Sequence, residues 1–76
     1  MNGYNGHKNW NHWNVSLWIN NTEDLYRQAQ FCIQITSTKD NAARAFKKWL
    51  GEQGITRTSD GAPYSLSSIR AAFVGI

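Results

Sequence analysis

The pattern of apolar and polar residues is clearest between residues 38 and 55. Apolar positions recur there at a period of about 3.6 residues, which is typical of an amphipathic helix. The residues on the apolar face are Ala42, Ala43, Phe46, Trp49 and Leu50. Ser37 or Thr38 can cap the start of this helix, and the helix ends near Gln53. Gly54 suits the left-handed position after a helix, with Ile55 as the apolar residue that packs back on it.

A second helical pattern runs from Ser65 to about Val74. Its predicted inward residues are Leu66, Ile69 and Phe73. Ser65 is a good N-cap, and Tyr64 and Ile69 have the spacing of a hydrophobic staple. The stretch 56–63 is polar and contains the turn dipeptide Asp60-Gly61, which predicts a loop between the two helices.

An earlier helix is predicted from Glu23 to about Ser37. Asn21 or Thr22 can cap its N-terminus, where Glu23 and Asp24 complement the helix dipole. The predicted inward face consists of Leu25, Ala29, Cys32, Ile33 and Thr36.

The segment Asn9–Asn20 fits two patterns. The alternating apolar positions of a strand are Trp13, Val15, Leu17 and Ile19. The positions i, i+3, i+7 and i+8 of a helix are Trp10, Trp13, Leu17 and Trp18. We favour the helix, with Trp10, Trp13 and Leu17 on one face, because the chain offers no second strand and a lone strand leaves its backbone unsatisfied.

The length of 76 residues corresponds to one domain with a small core. We predict an all-α fold, a compact bundle of three to four short helices whose last two lie in a helix-turn-helix-like arrangement. Residues 1–9 contain Asn and Gly and little apolar content, so we expect an irregular arm followed by a single helical domain over residues 10–76.

Charge and cysteine content bear on the expected partners and on the cellular compartment of the protein. The net charge is +3, and the eight Lys and Arg residues are scattered except for Arg44, Lys47 and Lys48. One cysteine excludes an internal disulfide framework and suits a reducing compartment. The sequence shows neither an apolar run long enough for a membrane span nor a signal peptide, so we expect a cytoplasmic protein.

The segment Asn9–Asn21 reads NWNHWNVSLWINN and is followed by Leu25-Tyr26. It resembles a group of small uncharacterised proteins of tailed bacteriophages that share an NxWNVxLWINN-like start. The resemblance implies a phage origin and an intracellular setting, so that the expected compartment is the host-cell cytoplasm. It implies no activity, because none can be transferred from this group to any residue.

Residues 46–73 resemble the helix-turn-helix of serine recombinases. Gly54-Ile55, Asp60-Gly61 and the run from Ser65 to Phe73 carry the likeness. The resemblance implies DNA binding, and a chain this short has no room for a recombinase catalytic domain. The candidate nucleic-acid contacts are Arg44, Lys47, Lys48, Arg57, Ser67 and Arg70. A strong DNA footprint takes about 6–10 phosphate contacts, so this function would require a dimer.

Four tryptophans exceed the usual need of one small core. We expect most of them to be buried, but exposed aromatic residues are typical binding anchors. The candidate partner-binding residues are Trp10, Trp18 and Tyr26. The sequence alone leaves open which tryptophans are exposed.

Catalytic and metal chemistry find little support in the sequence. His7, His12 and Cys32 do not have the spacing of a zinc site, and the carboxylates all suit helix ends or turns. We therefore predict no enzymatic activity, no metal and no cofactor. The predicted function is a small protein that modulates or inhibits a host macromolecule, most simply a protein. The alternative is a dimeric helix-turn-helix DNA-binding protein.

Overall fold

The computed structural model describes residues 8–76 and folds them into four helices. They are α1 (Trp10–Asn21), α2 (Glu23–Ile35), α3 (Lys39–Glu52) and α4 (Leu66–Phe73). Helix α1 packs against α2 and α4, and α3 packs against the same two helices. The predicted all-α bundle is confirmed, and Asn9–Asn20 is helical rather than extended. Residues 1–7 of the predicted arm lie outside the described residues.

The helix ends follow the local signals in the sequence. The side chains of Thr38 and Ser65 accept hydrogen bonds from backbone N–H groups three residues on, at 3.1 and 3.2 Å, and so cap α3 and α4. After α3, Gly54 has a φ of 76°, and the Ile55 N–H donates to the Leu50 carbonyl at 2.9 Å. This is the predicted Schellman motif. Helix α2 ends at Ile35, two residues before its predicted end at Ser37.

The core lies where the four helices meet. Phe46 of α3 is fully buried, and its ring centroid lies 5.8 Å from that of Trp49 and 5.4 Å from that of Phe73. The other fully or nearly fully buried apolar side chains are Val15, Ile19, Leu25, Ala29, Cys32, Ala42, Ala43, Leu50, Ala62, Tyr64, Ile69 and Ala72. The residues predicted inward on α3 therefore form one side of this core.

The predicted inward face of α1 is wrong. Trp10 and Leu17 are 37% and 36% exposed, and Trp13 is only partly buried. The buried residues of this helix are instead His12, Asn14, Val15 and Ile19. This rotation buries Val15 and Ile19 in the core and lets Asn14 form hydrogen bonds with the loop after α3. Periodicity in apolar residues cannot reveal these distant partners of a polar side chain.

Two details of α4 also differ from prediction. Leu66, predicted to point inward, is 36% exposed, whereas Ser68, which was not among the predicted inward residues, is 1% exposed. Ser68 lies in the first turn of the helix, and its backbone N–H donates to the side chain of the Ser65 cap.

Candidate functional site

The connection between α3 and α4 is a folded loop of residues 53–65. Its two arms pair through hydrogen bonds from the Thr58 N–H to the Ala62 carbonyl at 2.8 Å and from the Tyr64 N–H to the Thr56 carbonyl at 3.0 Å. At its tip the Gly61 N–H donates to the Thr58 carbonyl, and Gly61 has a φ of 100° that favours glycine. The predicted turn at Asp60-Gly61 therefore closes a short hairpin-like loop.

A set of polar side chains ties this loop to α1. We call Asn14, Trp18, Thr58 and Asp60 the Asn14 network. The Asn14 amide donates to an Asp60 carboxylate oxygen at 2.9 Å, and the Trp18 indole N–H donates to the same oxygen at 3.0 Å. The Thr58 hydroxyl donates to the Asn14 carbonyl oxygen at 2.5 Å and accepts from the Ala62 N–H at 3.0 Å. Helix α1 thus positions the loop through side chains one turn apart.

The Asn14 network lowers the pKa of the Asp60 carboxyl below its usual range. The hydrogen bond from Asn14 has the largest effect, followed by that from Trp18, because both donors stabilise the ionised carboxylate. Elsewhere, burial raises the pKa of the Cys32 thiol and of the Tyr64 hydroxyl. Cys32 is therefore a protonated core residue rather than an activated nucleophile.

The fold is expected to lose stability in acid through Asp60. Its folded pKa lies below the unfolded value, so its contribution is present at pH above about 4 and is lost as the pH falls through the folded pKa. Urea midpoints measured between about pH 6 and pH 2 should drop for the wild type and drop less for Asp60→Asn. An equal acid loss in both proteins would contradict the assignment.

One side of the loop forms an open groove of about 890 Å³ with α2 and the end of α3. We call it the aromatic groove because Trp18, Phe31, Trp49 and Tyr64 line it. Phe31 is 52% exposed, and Trp18 and Trp49 are partly buried. The remaining lining residues are Thr22, Asp24, Leu25, Arg27, Gln28, Gln53, Ile55, Arg57, Thr58 and Ser59. The groove thus combines an apolar aromatic floor with a polar rim.

The other side of the loop forms a smaller cavity of about 430 Å³ against α3. We call it the basic cleft because Arg44, Lys47 and Lys48 line it. All three cations are exposed, and the Lys47 ammonium donates to the Tyr64 carbonyl at 3.0 Å. Its other lining residues are Leu50, Gly51, Ile55, Thr56, Tyr64 and Leu66. The only tight cation cluster in the sequence therefore becomes a concave surface.

The predicted partner-binding residues do not come together. Trp18 lines the aromatic groove, while Trp10 lies exposed at the start of α1 and Tyr26 is partly buried on α2, and neither lines that groove. Sequence reasoning missed Phe31, which is the most exposed aromatic side chain of the groove. The sequence does show Phe31 as a large apolar residue outside the predicted inward face of α2, which indicates an exposed aromatic side chain.

The predicted nucleic-acid residues fall into two groups. Three of them line the basic cleft, as described above. The other three have partners within the fold: Arg57 donates to the Gly61 carbonyl at 3.0 Å, Arg70 pairs with Asp40 at 2.7 Å, and the Ser67 hydroxyl lies 3.4 Å from a ring nitrogen of His12. Arg57 also lines the aromatic groove. The cations predicted for one DNA surface are therefore divided over several places.

The sequence model of a family of unknown function (DUF7249) matches residues 1–74. The chain belongs to this family. No curated protein and no solved structure matches it. Because the match covers nearly the whole chain, the loop, both cavities and the Asn14 network all lie within the family's domain.

The described part of this family member offers no cluster of three or more His, Cys, Asp or Glu side chains that would hold a metal ion. Among residues 8–76, no helix has the length and apolar character needed to cross a membrane. The aromatic groove and the basic cleft are the two concave surfaces described above.

Proposed function

We propose that this chain is a small non-enzymatic, phage-encoded protein that binds a host protein through the aromatic groove and thereby modulates or inhibits it. The observation that carries the proposal is the set of aromatic side chains around one groove, with half of Phe31 still exposed to water. Burying a whole Phe side chain contributes about 1.5–3 kcal/mol, so a partner that covers Phe31 gains a substantial part of this.

The composition of the groove suits a protein partner. Protein interfaces combine an apolar, aromatic-rich centre with a polar rim, and Trp and Arg are enriched among the residues that contribute most to binding. Here Trp49 and Phe31 supply aromatic surface, and Arg27 and Arg57 line the same groove. The phage origin is supported by the resemblance of Asn9–Asn21 to proteins of tailed phages.

Phe31→Ser is expected to abolish capture of the partner while the fold stays intact, because Phe31 contributes little to the core. Ile35→Ser is the matched control, since Ile35 is 59% exposed one turn later on α2 and does not line the groove. Tagged wild type and both variants would be used to capture proteins from bacterial lysate, with quantification by mass spectrometry. The proposal is supported if a protein is captured equally by the wild type and Ile35→Ser, but at least about tenfold less by Phe31→Ser. A tenfold difference corresponds to about 1.4 kcal/mol of binding free energy. Equal capture by both variants contradicts it.

A dimeric DNA-binding protein is the second proposal, and the basic cleft favours it because its cations lie beside the start of α4. It ranks behind the first because the connection of residues 53–65 is longer than the turn of about 3–4 residues in DNA-binding helix-turn-helix motifs. Arg70 on α4 is also engaged by Asp40. A gel shift in increasing salt tests it: sequence-preferring binding that persists above about 150 mM salt supports DNA recognition, and its loss below that concentration contradicts it.

A further inference from the structure

The aromatic groove and the basic cleft are two sides of one loop. Ile55 and Tyr64 line both cavities. A ligand that lies across these two residues therefore contacts the aromatic floor on one side and Arg44, Lys47 and Lys48 on the other. Because the cavities share these two lining residues, they adjoin, and a segment of a few residues that crosses the loop can reach both.

The charges along this surface are uneven. The described residues of the basic cleft include three cations and no carboxylate. Arg44 and Lys48 form no ion pair within residues 8–76, and neither does Arg57 at the rim of the aromatic groove. Arg27, at the opposite wall of the groove, is already paired with Glu23. The uncompensated positive charge therefore lies on the side of the loop and α3.

We propose that the partner segment carries an apolar or aromatic side chain followed by a run of Asp and Glu. The apolar side chain occupies the aromatic groove beside Phe31 and Trp49, and the carboxylates lie against Arg44 and Lys48. This inference rests on the proposed function and specifies the chemistry of the partner. Charge complementarity of this kind sets specificity and speeds association.

A nucleic acid fits the same surface less well. Three cations fall short of the about 6–10 phosphate contacts of a strong DNA footprint, and Lys47 is partly engaged by the Tyr64 carbonyl. A phosphate backbone also leaves the apolar groove next to the cleft uncovered. An acidic protein segment with an apolar anchor satisfies both halves of the surface.

Synthetic probes can test this on the full chain, followed by backbone amide and indole NMR signals. The probe is the peptide Leu-Phe-Asp-Glu-Asp-Glu, and the comparison probes are Leu-Phe-Lys-Arg-Lys-Arg, Gly-Ser-Asp-Glu-Asp-Glu and a short DNA duplex. The acidic probe with its apolar pair should bind most tightly and should shift Ile55, Tyr64 and the Trp49 indole together. Tighter binding of the basic peptide or of the duplex overturns the inference.

Lys48→Glu should weaken binding of the acidic probe by roughly three- to tenfold, because an attraction of up to about 1 kcal/mol becomes a repulsion. Lys8→Glu makes the same change of charge outside both cavities and should leave the affinity unchanged. Equal affinities for the two variants overturn the inference. If Phe31→Ser abolishes capture of the host partner but Lys48→Glu does not, the proposed function stands and the acidic class of partner is wrong.

Discussion

Phe46→Ala is expected to lower the free energy of unfolding by about 3–5 kcal/mol. Phe46 is fully buried at the meeting point of the helices, and its ring lies against those of Trp49 and Phe73. Truncation removes these contacts and leaves a cavity that the surrounding helices can fill only in part. A chain of 76 residues has a total stability of about 4–11 kcal/mol, so the substitution should remove a large fraction of it.

Urea denaturation followed by far-UV circular dichroism measures this effect. Phe31→Ala is the matched control because it removes the same atoms from a helical position that is 52% exposed. It should cost less than about 1 kcal/mol. A smaller loss for Phe46→Ala than for Phe31→Ala would show that the core does not centre on Phe46.

Asn14→Ala is expected to cost about 2–3 kcal/mol, the second largest effect. The Asn14 amide group makes two hydrogen bonds and is 1% exposed. Without it, the buried Thr58 hydroxyl loses its acceptor and Asp60 loses one of its two donors. The melting temperature should fall by roughly 8–24 °C, as measured by calorimetry.

The substitution Asn14→Asp should in addition make the stability of the fold depend on pH in a characteristic way. Asn14→Asp places a buried carboxyl against Asp60, so burial and the like charge raise its folded pKa above the unfolded value. The variant should therefore be most stable in acid and lose stability as the pH rises, which is opposite to the expected effect of Asp60 in the wild type.

Asn11 provides the control for both substitutions because it is exposed three residues earlier on α1. Asn11→Ala and Asn11→Asp should each change stability by less than about 0.5 kcal/mol. If Asn14→Asp were as stable at neutral pH as Asn11→Asp, the Asn14 network would not hold the loop.

The Asn14 network also connects α1 to the proposed binding surface. Asn14 and Trp18 hold the loop through Asp60, and residues of that loop line both the aromatic groove and the basic cleft. The segment Asn9–Asn21 was expected to supply contacts to a partner through its tryptophans. In the structure, Asn14 and Trp18 of this segment donate hydrogen bonds that hold the loop. Trp18 also lines the aromatic groove.

Local signals predicted most of the fold. The periodicity of Ala42–Leu50, the caps Thr38 and Ser65 and the glycine stop at Gly54 each depend on residues within a few positions of one another. Such interactions are present in the sequence pattern itself, so helix positions followed from it to within about two residues. The helix over Asn9–Asn20 was predicted by a less direct argument, because its apolar pattern also fits a strand and the chain offers no second strand to pair with it.

The proposed binding surface was not predictable in the same way. The apolar pattern of α1 pointed to Trp10, Trp13 and Leu17 because a sequence pattern treats Asn14 as a solvent-facing residue. Asn14 could be buried only because Asp60, 46 residues away, returns to accept its hydrogen bond. Likewise, nothing local to α2 indicates that Phe31 faces Trp49 across a groove.

Residues close together in the sequence were thus enough to predict α2, α3 and α4, the caps Thr38 and Ser65, and the core face of α3, since these arise from contacts within a few positions of the chain. The rotation of α1, the course of the loop at residues 53–65, and the placing of an aromatic groove and a basic cleft on the two sides of that loop became known only from the folded structure. These features depend on hydrogen bonds and packing between segments that are distant in sequence, because a buried polar side chain such as that of Asn14 requires a hydrogen-bond partner.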